Sequence, residues 1–441
     1  MSQTGNSGTL RPVKLQAMDA FAFTRALQWS GLPLAVQRRA RMSLLDLLGV
    51  AVQGHATRLS AIIRDYAVAQ HPGPLPLPFD GRGVSASGYA LALGMTIDAV
   101  DGHDGHNPAK GHIGCPLLPA LLALAPPSTT GEEFLTTLVA GYEVGARVSV
   151  AQHATTPDYH TSGSWGATTG AIAGARLAGL SPDQTQHAAG IAEYHGPRSQ
   201  MMRCIDHPTM LKDGSGWGAM CATSAILLAQ AGFTGAPAIT VTDTPDHWTT
   251  LGTEWEILRQ YFKPWPVCRW AQGPIAGVLA LRAAHGLTAA DVDHIEVETF
   301  HESIRLATAR PRTTEEAQYS TSFPVAVAMV HGDVKPADIA DTALDDPEIL
   351  RLSESLKMRE SDHANAAFPM QRFARVTLHL RAGGTLTTDW LEPPWSPDTQ
   401  PSDAELLTKF RAYAGPRADR IEEAVMALDR QPLSTLTAAL A

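Results

Sequence analysis

Apolar residues recur every three or four positions almost without a break from Met18 to Ala231, which is the period of a helix with one buried face. VQRRARMSLLDLLGVAVQG and GEEFLTTLVAGYEVGARVSVAQ carry it plainly, and strand-like alternation is nearly absent over the same span. Several runs, such as SASGYALALGMTIDAV and GATTGAIAGARLAGL, also hold Gly, Ala and Ser at close spacing. Small side chains let helix axes approach closely. A chain patterned in this way builds a bundle of tightly packed helices. None of its segments approaches the roughly 18 uninterrupted apolar residues of a membrane span.

Pro and Gly clusters at 71–83, 125–131 and 263–266 punctuate the chain. After the last of these, KPWP, the texture changes. HIEVETF (294–300) alternates as a strand, TEEAQYSTSFPVAVAMVHG reads as a helix, and FARVTLHLRAGGTLTTDW gives two alternating runs around Gly383 and Gly384, a hairpin. From Ser402 the helical period returns. A chain of 441 residues exceeds the roughly 250 to 300 at which a single core stops growing, so two domains are expected. The fold class is mainly α, with a discontinuous all-helical domain formed by 1–264 together with 398–441. The smaller α+β domain spans 265–397. No internal repeat points to a solenoid.

Composition narrows the ligand. The formal net charge of -10 would repel a nucleic-acid backbone, which needs a clustered basic face. A few local cations can still hold a small anion, because distant charges are screened. The start, MSQTGNSGTLRPVK, lacks the apolar core of a secretory signal, so a cytoplasmic protein is expected. Four cysteines without CxxC spacing suggest neither a disulfide framework nor a structural zinc site.

The densest run of ionisable groups is DAVDGHDGHNPAKGHIG, which holds Asp98, Asp101, His103, Asp104, His106, Lys110 and His112 between four glycines. A helix running to about Val100 breaks here into a loop, and loops on rigid scaffolds commonly carry catalytic side chains. The bland alternative is a solvated polar loop. No recognised ligand spacing or HExxH is present, so no metal is expected. In PDYHTSGSWG, Tyr159 and His160 precede a helix start, where free N–H groups and the helix dipole favour an anion. GSWG is not the GxSxG of a nucleophile elbow. MMRCIDHPTMLKDGSGWGAM holds Arg203, His207, Lys212 and Asp213 before a glycine-rich helix start, without the GxGxxG spacing of a nucleotide site. YFKPWPVCRW offers Lys263, Cys268 and Arg269 at the domain junction, where ligand clefts are favoured. Cys268 reads either as an activated thiolate or as a small buried side chain. AQYSTSFP adds Tyr319 and Ser320.

In this order the segments resemble the MmgE/PrpD family, which includes 2-methylcitrate dehydratase, cis-aconitate decarboxylase and iminodisuccinate epimerase. The pieces that carry the likeness are DGHDGHNPAKGHIGCPLLPALLALA, GYEVGARV, YHTSGSWGATTGAIAGARLAGL, LAQAGFTG, KPWPVCRW and AQYSTSFPVAVAMVHG. The resemblance implies a large helical domain closed by both termini, a smaller α+β domain and a site between them. It matches Asp101, His112, His160 and Lys263 to the family's active-site residues. Where the decarboxylase carries a further histidine and a tyrosine, this chain has Cys268 and Phe323, which disfavours decarboxylation. The KDGSGWGAM segment looks more like the epimerase branch than the dehydratases.

The chemistry these activities share is removal or return of a proton on carbon beside a carboxylate. It needs a base near the working pH and cations for the developing enolate charge. The resemblance thus implies a cofactor-independent isomerase, an epimerase of iminodisuccinate, with His112 and His160 exchanging protons and Asp101 orienting. Lys263 and Lys212 would bind carboxylates, with Arg269, Tyr159, His106 and Cys268 lining the site. The rival reading is a methylcitrate-type hydro-lyase; an aconitate decarboxylase-like lyase and a non-catalytic polycarboxylate binder are more remote. By the same resemblance a homodimer is expected.

Overall fold

The computed structural model describes residues 19–441; the leaderless start expected from MSQTGNSGTLRPVK lies outside them. Helices begin where the sequence supplies caps. Thr130 accepts from the Glu133 N–H to start Gly131–Thr155, and Ser181 with Gln184 and Ser402 with Glu405 form reciprocal capping boxes. The largest core draws on residues from Ala20 to Phe262 and again from Leu406 to Leu440, so the helices of the tail share one interior with those of the start. A side chain at Gly49 would meet the Phe410 ring at 3.0 Å, which shows how closely Asp403–Ala414 lies on Leu34–His55.

A second core surrounds a four-stranded sheet. Val292–Thr299 is central and buries Ile295, Val297 and Thr299 on alternate positions, with Val292 buried beyond a register shift at its start. Arg375–Leu380 pairs with it antiparallel and turns at Gly383 and Gly384, whose φ values of 91° and 88° suit glycine, into Thr385–Thr387. On the other edge Lys357–Glu360 runs parallel to Val292–Thr299. Lys-Met-Arg-Glu has no apolar alternation, so this strand has no signal in the sequence. Pro72–Pro76 and Gly83–Val84 likewise form a small antiparallel pair within a stretch that reads only as a break. No described helix is long and apolar enough to cross a membrane. A third apolar cluster, with Met201, Cys204, Trp270, Phe300 and Tyr319, joins the two cores.

Glycine decides how the helices that carry the site meet. Ala86–Asp98 and Ser215–Gln230 touch at Gly94, where an added Cβ would lie 2.6 Å from the Gly216 Cα. Ser162–Leu177 touches the start of the same helix at Gly163, where a Cβ would lie 2.2 Å from the Gly214 carbonyl oxygen. Both neighbours are backbone and cannot swing away. Gly163→Ala is therefore expected to lower unfolding free energy by about 1 to 3 kcal/mol, the usual cost of overpacking a close interior. Urea unfolding with an unchanged m-value checks this.

Candidate active site

The helix Ala86–Asp98 ends in the Asp/His loop, which is buried from Asp101 to Asn107 and is therefore not a solvated surface turn. Two backbone bonds fix it to the chain's first crossing between the domains: Gly105 N–H donates to the Tyr261 carbonyl at 3.0 Å, and Tyr261 N–H returns one at 2.8 Å. A third link is ionic. Lys263 Nζ lies 2.5 Å from Asp101 Oδ1 and 2.9 Å from the Asp101 carbonyl, with both side chains out of solvent. Burial alone raises the Asp101 carboxyl, but Lys263 and then Lys212 outweigh it and hold it at about 2. Asp101, Lys110 and Lys212 have φ of 52°, 53° and 51°. Non-glycine residues avoid this left-handed region, and such strain gathers at functional sites.

His112 faces this pair. Its Nδ1 lies 2.5 Å from the Asp104 carbonyl, an oxygen that only accepts, so the proton sits on Nδ1 and Nε2 carries the lone pair. Nε2 is 3.7 Å from Asp213 Oδ2. Ser162 links the two, donating to Asp213 Oδ2 at 2.8 Å while its oxygen accepts the His112 N–H at 2.9 Å. Burial, then His103, packed edge-on at 4.2 Å, and Lys263 hold the His112 imidazole at about 3. It is neutral at pH 7. Burial pushes Asp213 the other way, above the usual carboxylate range, and the Tyr319 hydroxyl reaches its Oδ1 at 3.5 Å. A neutral base and a protonation-prone acid thus stand side by side.

Asp101, His112, Tyr159, Asp213 and Lys263 from the helical side and Cys268, Arg269, Tyr319 and Arg372 from the other line one cavity of about 20 Å³, room for roughly one water. A polycarboxylate is larger than this space, so the lining side chains or the domains must move to admit one. A larger cleft of about 880 Å³ also lies between them, lined among others by Gln318, the partner of Lys212. Its buried cation Lys409 is committed to Asp46 and the Gly102 carbonyl, both at 2.6 Å, so volume does not mark the chemistry here.

Of the other residues singled out from the sequence, His160, His106 and Lys212 stand off the cavity wall, while Arg269, Tyr159 and Cys268 line it. His160 is not among the residues that line the cavity: its Nδ1 binds the Asp158 carbonyl at 2.8 Å and its ring lies 6.4 Å from that of His153. His106 is bound through Nε2 to Glu256 Oε2 at 3.0 Å, while Nδ1 accepts the Ala109 N–H, and it braces the loop from behind. Arg269 lines the cavity but is spent on the two chain crossings, donating to Phe262, Pro393 and Pro394 carbonyls and to Ser396 Oγ. It is a rivet rather than a free carboxylate ligand. The Lys212 ammonium is hydrogen-bonded to Gln318 and lies 4.4 Å over the Tyr319 ring. Tyr159 donates to the Lys110 carbonyl at 2.8 Å. Burial pushes the Cys268 thiol up to about 12, so it is no thiolate nucleophile.

Sequence reasoning passes over Asp213, Lys110 and Arg372 when it selects site residues. Asp213 and Lys110 stand in highlighted segments but carry no motif, and Arg372 sits in Met-Gln-Arg-Phe with no signal at all. Among the described residues, Asp98, His103 and Cys115 bring ligand atoms within 4.8 Å of one another, a donor set zinc accepts. Cys115 there donates its S–H to the Gly94 carbonyl at 3.6 Å.

Two packed domains with buried acids, bases and cations between them are the architecture of an enzyme. The chain belongs to the MmgE/PrpD family: residues 20–251 match the MmgE/PrpD N-terminal domain and 265–430 the MmgE/PrpD C-terminal domain. It is 25% identical to a cis-aconitate decarboxylase-like protein of Aspergillus oryzae, over 91% of this chain and 92% of the relative. It is 23% identical to a cis-aconitate decarboxylase of Aspergillus terreus, over 90% of each.

Two outcomes follow from the geometry. Lys263→Met leaves Asp101 buried without its partner and should lower unfolding free energy by about 3 to 5 kcal/mol. Adding Asp101→Asn should restore a large part of that loss, and urea unfolding of wild type, the two single variants Lys263→Met and Asp101→Asn, and the double variant tests the coupling. The second concerns pH. Burial, then Lys263, hold His103 at about 3, whereas the unfolded chain takes up the proton below about 6.5. Its contribution is thus intact above that pH and is lost as pH falls toward the folded value. Relative to wild type, His103→Gln should gain stability on acidification from pH 6.5 to 4, by up to about 1.4 kcal/mol per unit. Parallel stability-versus-pH curves for the two proteins would contradict this.

Proposed function

We propose that this enzyme is a lyase that removes a proton from carbon beside a carboxylate of a small polycarboxylate and expels a β-substituent, in the manner of a hydro-lyase. The observation that carries the reading is the fixed tautomer of His112, which leaves a neutral Nε2 lone pair beside Asp213. In this scheme His112 Nε2 takes the carbon-bound proton, electron density moves into the adjacent carboxylate, and the bond to the β-hydroxyl breaks. Asp213, protonated, gives its proton to the departing oxygen, so water leaves. Transfer from His112 Nε2 to Asp213 Oδ2 over 3.7 Å then resets both groups. The buried Lys263 and Lys212 ammoniums offset the enolate charge in a pocket where such interactions are strong.

The relatives named as decarboxylases support a lyase. Cys268 at the position where the resemblance implies a histidine speaks for dehydration over loss of carbon dioxide. Epimerisation of an iminodisuccinate-like acid is the second reading. It is supported by the Cys268 thiol, a protonated donor on the same cavity, while His160, its expected second base, stands outside.

Proton NMR of 2-methylcitrate, citrate and iminodisuccinate in deuterium oxide separates the outcomes. Alkene signals support elimination; α-deuteration with epimer and no alkene selects the second reading. Removing a general base costs about 100-fold or more, so His112→Ala should lose both alkene formation and exchange. Undiminished turnover in that variant would exclude His112 as the base.

A further inference from the structure

Besides Lys110 and Arg372, three cations line or flank the cavity, and Lys263, Lys212 and Arg269 all have hydrogen-bond partners already. Arg372 differs. Its side chain is 4% exposed and lines the cavity, yet Nε and Nη1 have no hydrogen-bond partner. The guanidinium lies between two aromatic faces, 5.8 Å from the Tyr261 ring centroid and 5.9 Å from that of Phe368. Those faces fix its plane without consuming a single N–H. A buried guanidinium with idle donors costs several kcal/mol unless an acceptor arrives.

Lys110 lines the same cavity with its ammonium 5.2 Å over the Tyr159 ring, and it forms no ion pair among the described residues. Burial lowers its pKa, Glu302 raises it, and the charge of Arg372 lowers it further, so the two cations feel each other. The carboxylates that line the cavity have partners, Asp101 in Lys263 and Asp213 in Ser162 and Tyr319, while Glu302 and Glu392, which act on Lys110 and Arg372 through charge, form no ion pair with either. Two cations left facing one small cavity call for an anion between them.

We propose that Arg372, with Lys110, forms a carboxylate subsite that grips the substrate carboxylate remote from the carbon deprotonated by His112. The planar fork of Arg372 suits bidentate contact with a carboxylate, and Lys110 adds a point charge. The subsite rests on the polycarboxylate reading above and sharpens it: the substrate carries a carboxylate spaced from the reacting carbon, so monocarboxylates are poor ligands. Arg372 reaches the cavity from the α+β side while His112 stands on the helical side. Substrate binding therefore also draws the two domains together.

Isothermal titration with tricarballylate and succinate, which carry no leaving group, reads the subsite without turnover. Wild type should bind tricarballylate, and Arg372→Met should raise its Kd at least about 30-fold, as expected for loss of a charge-assisted hydrogen-bonded contact. Arg372→Lys should recover part of the affinity, and Lys110→Met should weaken binding about 5-fold. A tricarballylate monoamide should lose less affinity than the parent acid on Arg372→Met. A folded Arg372→Met that binds tricarballylate as wild type does overturns the proposal. If that variant does not fold, wild-type affinity in both Arg372→Lys and Lys110→Met overturns it equally. Weakened binding in the variants with no turnover of any acid by wild type leaves the subsite standing and removes the lyase reading. Turnover abolished by His112→Ala, but with KM untouched by Arg372→Met, does the reverse.

Discussion

The buried pair of Asp101 and Lys263 is the contact on which the site depends. It joins the loop that follows Ala86–Asp98 to the segment by which the chain first leaves the helical domain, and the backbone bonds between Gly105 and Tyr261 complete the junction. Asp104 lies inside this fastened stretch, and its carbonyl sets the proton position on His112. A charged pair out of water is stabilising only while both members are present. The same interaction that holds the junction therefore also makes it intolerant of single substitutions.

Around this junction each layer of structure orients the next. Glycines 94 and 163 let three helices approach until Ser162, Asp213 and Ser215 sit against the loop. Ser162 then bridges His112 and Asp213, and Arg269 ties the two chain crossings through four bonds to Phe262, Pro393, Pro394 and Ser396. Burial lowers the histidine and raises the aspartate, so both are pushed toward their neutral forms, one able to accept a proton and the other more able to carry one. The narrow cavity has room for little water, which strengthens these effects.

The sequence by itself determined the helical class and the sheet strands with clear alternation, and by resemblance it singled out Asp101, His112 and Lys263, which the fold brings to one cavity. These features are local: a period of 3.6, a period of 2, a glycine pair at a turn, or a short motif. Tertiary structure decided the rest. His160 ranks with His112 in the sequence and His106 stands in the same run, yet the first is held at the Asp158 carbonyl and the second at Glu256, and the sequence does not show which acceptor each ring will meet. Arg269 and Arg372 are both single arginines near a domain edge. Only packing shows that one is surrounded by carbonyls and the other by aromatic faces that leave its donors free. A side chain's type is written in the sequence, whereas its burial, partner and charge state come from neighbours that folding alone assembles.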